Sequence, residues 1–213
     1  MPSFPLFVDL KGKKCIVVGG GKVASRKIEM LDRFNGDIVV ISPEITYSIN
    51  TLKESGKLTH ISRFYKPSDI KDAFMIIAAT SDESVNELIY NDAVNHGVLV
   101  NVVDDPKRCT FFFPSLVKRG DLVIGISTSG GYPALSKHIR KKLDNIIDDN
   151  INEEVISYLK EFRKKVILEI QNAELKASIL NNIIEETIFT DSRPDIESLK
   201  AKMDAIYKKY TEE

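Results

Sequence analysis

Between Cys15 and Lys27 the chain reads CIVVGGGKVASRK. A short apolar run meets three consecutive glycines, and these open onto a stretch with Ala24, Ile28 and Leu31 at helical spacing. A strand, a bare turn and a helix in direct succession leave few folds open. The turn fits the pattern G-x-G-x-x-A, with Gly19 allowing a tight bend. Gly21 lets backbone approach a pyrophosphate, and Ala24 is small enough for the helix to pack on the sheet. The helix start would present free N–H groups and a positive dipole end to phosphates, with Lys22 and Val23 in its first turn. The bland alternative is a plain strand-to-helix turn. A P-loop is excluded, because no G-K-[ST] closes the motif.

The following residues repeat the alternation. Strands are predicted at 14–18, 37–42, 57–62, 73–80 and 98–103, and helices at 22–34, 44–55 and 82–95, with Val85, Leu88 and Ile89 inward. This predicts an α/β fold, a Rossmann-like parallel sheet with helices on both faces. From Asp104 the pattern changes. Residues 109–128 read as two strands around a turn at 118–121, and the chain beyond Pro133 reads as helices at 133–147, 151–172, 174–189 and 194–210, with Pro194 in a first turn. The expected organisation is a nucleotide-binding domain (1–112), a β-hairpin and helix suited to dimerisation (113–147) and a helical C-terminal domain (148–213). Two apolar strands and long helices after a complete domain suit a homodimer interface.

The net charge of -1 argues against nucleic acid or a membrane surface as partner, and no uncharged apolar run suggests a transmembrane helix. The N-terminus lacks the form of a signal peptide, so a cytoplasmic protein is expected. Cys15 and Cys109 form no CxxC and read as reduced, buried residues. His60, His96 and His138 have no metal-ligand spacing, so no metal site is expected.

Several residues are candidates for chemistry. The fingerprint expects an acid after the second strand to hold a ribose. Here that place reads Ser42-Pro43-Glu44, where Ser42 and Glu44 are candidates and no arginine is present for a 2′-phosphate, which favours NAD over NADP. Asp104 follows the fifth strand, where ligands of open parallel sheets bind, and Asp105 beside it could shift one of the two pKa values by repulsion. Read alone, Asp104-Asp105-Pro106 is more readily a solvated turn. Ser127-Thr128-Ser129-Gly130-Gly131 is a second loop whose N–H groups and hydroxyls could hold a carboxylate or phosphate, with His138 nearby on the next helix. Its alternative is a turn before a solvated basic face. No tyrosine has a lysine four residues later, which disfavours a short-chain reductase.

Four segments together carry a resemblance. FPLFVDLKGKKCIVVGGGKVASRK, IIAATSDESVNELI, NVVDDPKRCTFFFPS and GISTSGGYPALSKHIRKKLD are similar, in matching order over about residues 4–145, to the dehydrogenase part of siroheme synthases, the precorrin-2 dehydrogenase family. The chain resembles the stand-alone form, without the methyltransferase domain of fused members. The resemblance implies loss of a hydride to NAD and of a proton from precorrin-2, giving sirohydrochlorin. In some members ferrous iron is then inserted as a second substrate. It places the family's essential aspartate at Asp104, NAD contacts at Lys22, Val23, Pro43 and Glu44, and the serine of the second loop at Thr128. Tyr132 departs from the small polar residue usual before Pro133. The competing reading is a non-catalytic NAD sensor, which needs the glycine loop but neither Asp104 nor the second loop.

Overall fold

The computed structural model describes residues 3–188 and 195–211. Contacts divide the chain into two units, Met1–Phe113 and Pro114–Glu213.

The first unit is built on five parallel strands, β1 (Lys14–Val18), β2 (Asp37–Ile41), β3 (Leu58–Ile61), β4 (Met75–Ala78) and β5 (Leu99–Val102), in the order β3-β2-β1-β4-β5. Near-continuous apolar runs such as MIIA in β4 form the inner strands because both faces of the sheet are covered. Side chains alternate between the faces. Cys15 and Val17 join Ile28, Ile38 and Ile77 on one side, while Ile16 and Val18 join Ile41, Ile76 and Ile89 on the other. The helices are α1 (Lys22–Asp32), α2 (Tyr47–Glu54) and α3 (Glu83–His96). Ala24, Ile28 and Leu31 of α1 are buried as their spacing predicts. Leu88 is a correction: it is 40% exposed, because the buried stripe of α3 runs through Asn86, Ile89 and Ala93 and leaves Leu88 to one side. The chain leaves β1 for β2 on one side and returns to β4 on the other, so the strand order reverses at the end of β1, where ligands of such sheets bind.

Residues 109–113 are a second correction. They do not form the first hairpin strand but lie against the sheet's last strand. Thr110 N–H donates to Val100 O (2.8 Å), Val100 N–H donates to the Thr110 hydroxyl (2.8 Å), and the buried Asn101 amide donates to Phe111 O (3.0 Å). Phe111 and Phe113 then pack on the core beside α1. Cys109 is only half-buried, unlike the fully buried Cys15. Burial pushes the Cys15 thiol up to about 11, and it raises Cys109 as well, so both are neutral thiols near pH 7.

In the second unit, β6 (Ser115–Arg119) and β7 (Leu122–Ile126) form an antiparallel hairpin with Arg119 opposite Leu122. Helix α4 (Pro133–Asn150) packs on it. Helices α5 (Glu153–Glu169), α6 (Ala173–Ile183) and α7 (Ile196–Thr211) share a core of Phe162, Val166, Ile179, Ile183, Met203 and Ile206. Asn152 and Asn172 cap α5 and α6 through their side-chain oxygens. Tyr207 meets Phe162 edge to face (5.8 Å) and donates to Glu169 (2.6 Å). Pro194 lies outside the described residues. Among the described residues, no helix is long and apolar enough to cross a membrane.

The three glycines after β1 have separate roles. Gly19 has φ +120°, and a Cβ there would stand 2.3 Å from Ala79 O at the end of β4. A Cβ on Gly20 would stand 1.8 Å from Glu44 O, and the Thr46 N–H donates to Gly20 O (2.9 Å). Gly21 has an ordinary φ of -84°, and a Cβ there would meet nothing within 4 Å. Gly20→Ala should therefore lose about 2 kcal/mol or more of stability through overpacking against backbone, whereas Gly21→Ala should unfold at the wild-type denaturant midpoint. Equilibrium urea unfolding of the two variants distinguishes them.

Candidate functional site

A cleft of about 740 Å³ lies at the carboxyl end of the first unit's sheet. Its floor is the glycine loop and the start of α1, with Lys22 and Val23. One wall is Ser42–Thr46 after β2, another is Ala79–Asp82 after β4, and Asp104 stands beyond β5.

The wall after β2 is pinned at several points. The buried Ser42 hydroxyl donates to Glu44 O (2.7 Å), the carbonyl that rests on Gly20. His60 on β3 bonds through Nε2 to Ser42 O (2.9 Å), and the Ser62 hydroxyl donates to Pro43 O (3.0 Å). Ser42 thus shapes the loop with its proton, while Pro43 and Glu44 keep their side chains exposed at the rim. His60, read from the sequence as structural, braces this wall.

The wall after β4 was not singled out from the sequence. Thr80 donates to the buried Asn86 side chain (2.8 Å), whose amide returns a bond to Thr80 O (3.1 Å). Asp82 caps α3, accepting from the Ser84 hydroxyl (2.6 Å) and from the Ser84 and Val85 N–H groups (2.9 and 3.3 Å). These bonds, the Ser84 hydroxyl first, hold its carboxyl below the usual range. The signal was present in TSDES, a capping sequence directly after a buried strand at the ligand-binding end of the sheet.

Asp104 is exposed and held at φ +61°, a conformation uncommon for a residue with a side chain. Asp105 is not its partner in the cleft. Its carboxylate accepts from the Lys107 N–H (3.0 Å) and from Arg108 Nε (2.6 Å), and Arg108 also pairs with Glu83. The expected repulsion between two neighbouring free carboxylates gives way to an aspartate held in a turn and an aspartate on the cleft wall.

Lys27 also escaped the sequence reading. It lies on α1, three residues after Ala24 and one before Ile28, on the shoulder of the buried stripe. The residue is partly buried, with Nζ 4.1 Å from the Phe113 ring centroid. Burial lowers its pKa, against opposing contributions from Cys109 and Asp104. A lysine three residues from a buried alanine on a helix facing the sheet was the available signal.

The Ser127–Gly131 loop belongs to the second unit. It turns through Ser129 (φ +50°) and Gly130 (φ +79°). Within it, Ser129 N–H donates to the Ser127 hydroxyl (3.0 Å), Gly131 N–H to Thr128 O (2.9 Å) and Tyr132 N–H to the Thr128 hydroxyl (3.1 Å). These three amide hydrogens serve the turn itself, with the Ser127 and Thr128 hydroxyls as acceptors. His138 is exposed one helical turn into α4. Among the described residues, no group of three or more His, Cys, Asp or Glu side chains could hold a metal ion.

The cleft fits the pyrophosphate of a dinucleotide. Gly21 leaves open the space that a Cβ would fill, and no side chain caps α1, so its first N–H groups are free for phosphate oxygens. Arg63, the arginine just after β3, is held by both guanidinium arms on Asp69 (2.6 and 2.7 Å).

The comparisons agree with this geometry. Residues 6–115 match the family described as "Putative NAD(P)-binding". The chain is similar to siroheme synthase of Methylobacillus flagellatus, at 33% identity over 166 residues, covering 78% of this chain and 35% of that one. It is similar to siroheme synthase of Psychrobacter cryohalolentis at 42% over 147 residues, covering 69% and 28%. The chain thus spans about a third of the length of these relatives. Among solved structures it is similar to SirC, a precorrin-2 dehydrogenase, with TM-score 0.77 and 25% identity, covering 99% of this chain and 100% of that one. The chain belongs to the NAD(P)-binding family of siroheme synthases and precorrin-2 dehydrogenases.

Proposed function

We propose that the protein is an NAD-dependent precorrin-2 dehydrogenase, removing a hydride and a proton from precorrin-2 to give sirohydrochlorin. The observation that carries this reading is Asp104, a carboxylate at the end of β5 on the wall of a cleft floored by bare glycine backbone. Full-length similarity to SirC supports it.

NAD, when bound, supplies the hydride acceptor. The chain's own residues do the rest. Gly19, Gly21, Lys22 and Val23 hold the pyrophosphate, with Ser42, Pro43 and Glu44 toward the adenosine end. Arg63, tied to Asp69, is withheld from a 2′-phosphate, which supports NAD over NADP. Asp104 takes the proton released as the hydride departs. Ser127, Thr128, Ser129, Gly130 and His138 are assigned to the substrate's carboxylates, with the Ser127 and Thr128 hydroxyls as donors. Much of the rate comes from holding the flat ring in position.

We extend the proposal to a homodimer. Leu135, Ile139 and Ile146 of α4 are 47%, 36% and 55% exposed, at helical spacing along one stripe with Leu143. A second copy of the chain is the occupant expected for it. Ile139→Glu should shift the sedimentation coefficient from dimer to monomer; an unchanged coefficient would remove α4 from the interface.

The activity is tested anaerobically, with precorrin-2 generated in place and sirohydrochlorin followed by absorbance. Conversion should require NAD. Asp104→Asn should lower turnover by about 100-fold or more, the usual scale for loss of a general base, while NADH binding stays at the wild-type affinity. Wild-type turnover in Asp104→Asn would remove Asp104 from the mechanism. NAD binding without any conversion by the wild-type protein would favour the sensor.

A further inference from the structure

We infer that Lys27 is a substrate-binding residue, the cation that receives one carboxylate of the acidic tetrapyrrole beside Asp104. The inference rests on the dehydrogenase reading and assigns part of that substrate's recognition.

Lys27 is partly buried. Taking a cation partly out of water is costly unless an acceptor replaces the lost hydration. Other partly buried cations of the first unit have such acceptors. Lys14 donates to Asp69 O and Lys71 O (3.2 and 2.8 Å), Arg63 is paired with Asp69, and Arg108 with Asp105 and Glu83. Lys27 forms no hydrogen bond or ion pair with the described residues. Its contact is with Phe113, whose ring face sits 4.1 Å from Nζ. A ring face attracts the cation from one side and leaves its N–H donors unused.

The surroundings say what the vacant donors are for. Phe113 is anchored through the 109–113 segment to β5, where the Asn101 and Thr110 bonds fix it. The Lys27 ammonium therefore rests over an anchored ring, which reduces the entropy lost when it binds an anion. The groups that act electrostatically on Lys27 are Cys109 and Asp104. Cys109 is a neutral thiol, donating to Val102 O (3.3 Å) and Asp105 O (3.2 Å). Asp104 is not ion-paired to Lys27. Asp104 follows β5, the strand to which the segment carrying Phe113 is bonded, so one strand bears both the ring beneath Lys27 and the Asp104 carboxylate. A flat substrate with an acidic rim and a proton to lose uses both: its carboxylate meets Lys27 while its reacting centre faces Asp104. The bond formed would be charge-assisted, the stronger class.

The test uses the full chain with Lys27→Met, which keeps an unbranched stem against Phe113 and removes the charge, and Lys27→Arg, which restores it. Sirohydrochlorin, the product of the proposed reaction, serves as the binding probe and is followed by its own absorbance. Lys27→Met should raise the sirohydrochlorin Kd and the precorrin-2 KM about tenfold, the scale of one charged hydrogen bond. Lys27→Arg should recover most of the loss. NADH affinity and melting temperature should stay at wild-type values in both. Wild-type sirohydrochlorin binding should weaken with added salt more steeply than binding to Lys27→Met. Unchanged Kd and KM in Lys27→Met overturn the inference while the dehydrogenase reading stands. So does a loss confined to kcat, which would make Lys27 a positioning residue for Asp104. A wild-type protein that binds NADH but no tetrapyrrole overturns both.

Discussion

Everything at the site depends on backbone packing directly on backbone. Gly19 lies under Ala79 O and Gly20 under Glu44 O, both at distances that no Cβ would permit. These contacts draw the loops after β2 and β4 in against the turn after β1. They define two walls and the floor of the cleft together. The bonds from Ser42, His60 and Thr46 then hold the Glu44 wall in place, and those between Thr80 and Asn86 hold the other. With two glycines devoted to packing, the third is left with open space above it. The cleft is therefore preorganised before any ligand arrives, and binding need not order these loops.

Much of this was legible in the sequence. The inner strands were readable because buried parallel strands are short, apolar and bounded by turn residues, the edge strand β3 because its residues alternate, and the period of α1 was unambiguous. Residues 109–113 were misread for a physical reason. CTFFFP has the composition of a strand, but its partners are fixed by a few bonds to Val100 and Asn101, and composition does not encode which neighbour a segment pairs with. Leu88 was misplaced because Asn86, a polar residue, holds a buried position through its bonds to Thr80. The glycine fingerprint assigns no packing role to the middle glycine, which here carries the tightest contact.

The candidate site was legible where chemistry goes with strand ends and hidden where it depends on pairing. Asp104 and Asp105 are adjacent and identical in type, and no spacing rule ranks them. The structure separates them through Arg108, which takes Asp105 and leaves Asp104 to the cleft. Lys27 presents the converse case. In the sequence it is one of many lysines beside an apolar stripe, where snorkelling to water is the default. What sets it apart is the ring of Phe113, eighty-six residues later in the chain, which arrives only because the 109–113 segment pairs with β5.

The same segment therefore does two things. By pairing with β5 it places Phe113 against α1, and by the turn before it it holds Asp105 and Arg108 away from the cleft. An anion binder and a proton acceptor must not neutralise each other if both are to meet one substrate. A direct Lys27–Asp104 ion pair would satisfy both groups in the resting protein and would have to break on binding, at the cost of a partly buried pair. Here the lysine lies on an aromatic face and the aspartate sits at a positive φ, and the two are not ion-paired. On the proposed reading, the positive φ of Asp104 and the unpaired ammonium of Lys27 serve one requirement, that the recognition energy be released when the acidic ring arrives and not before.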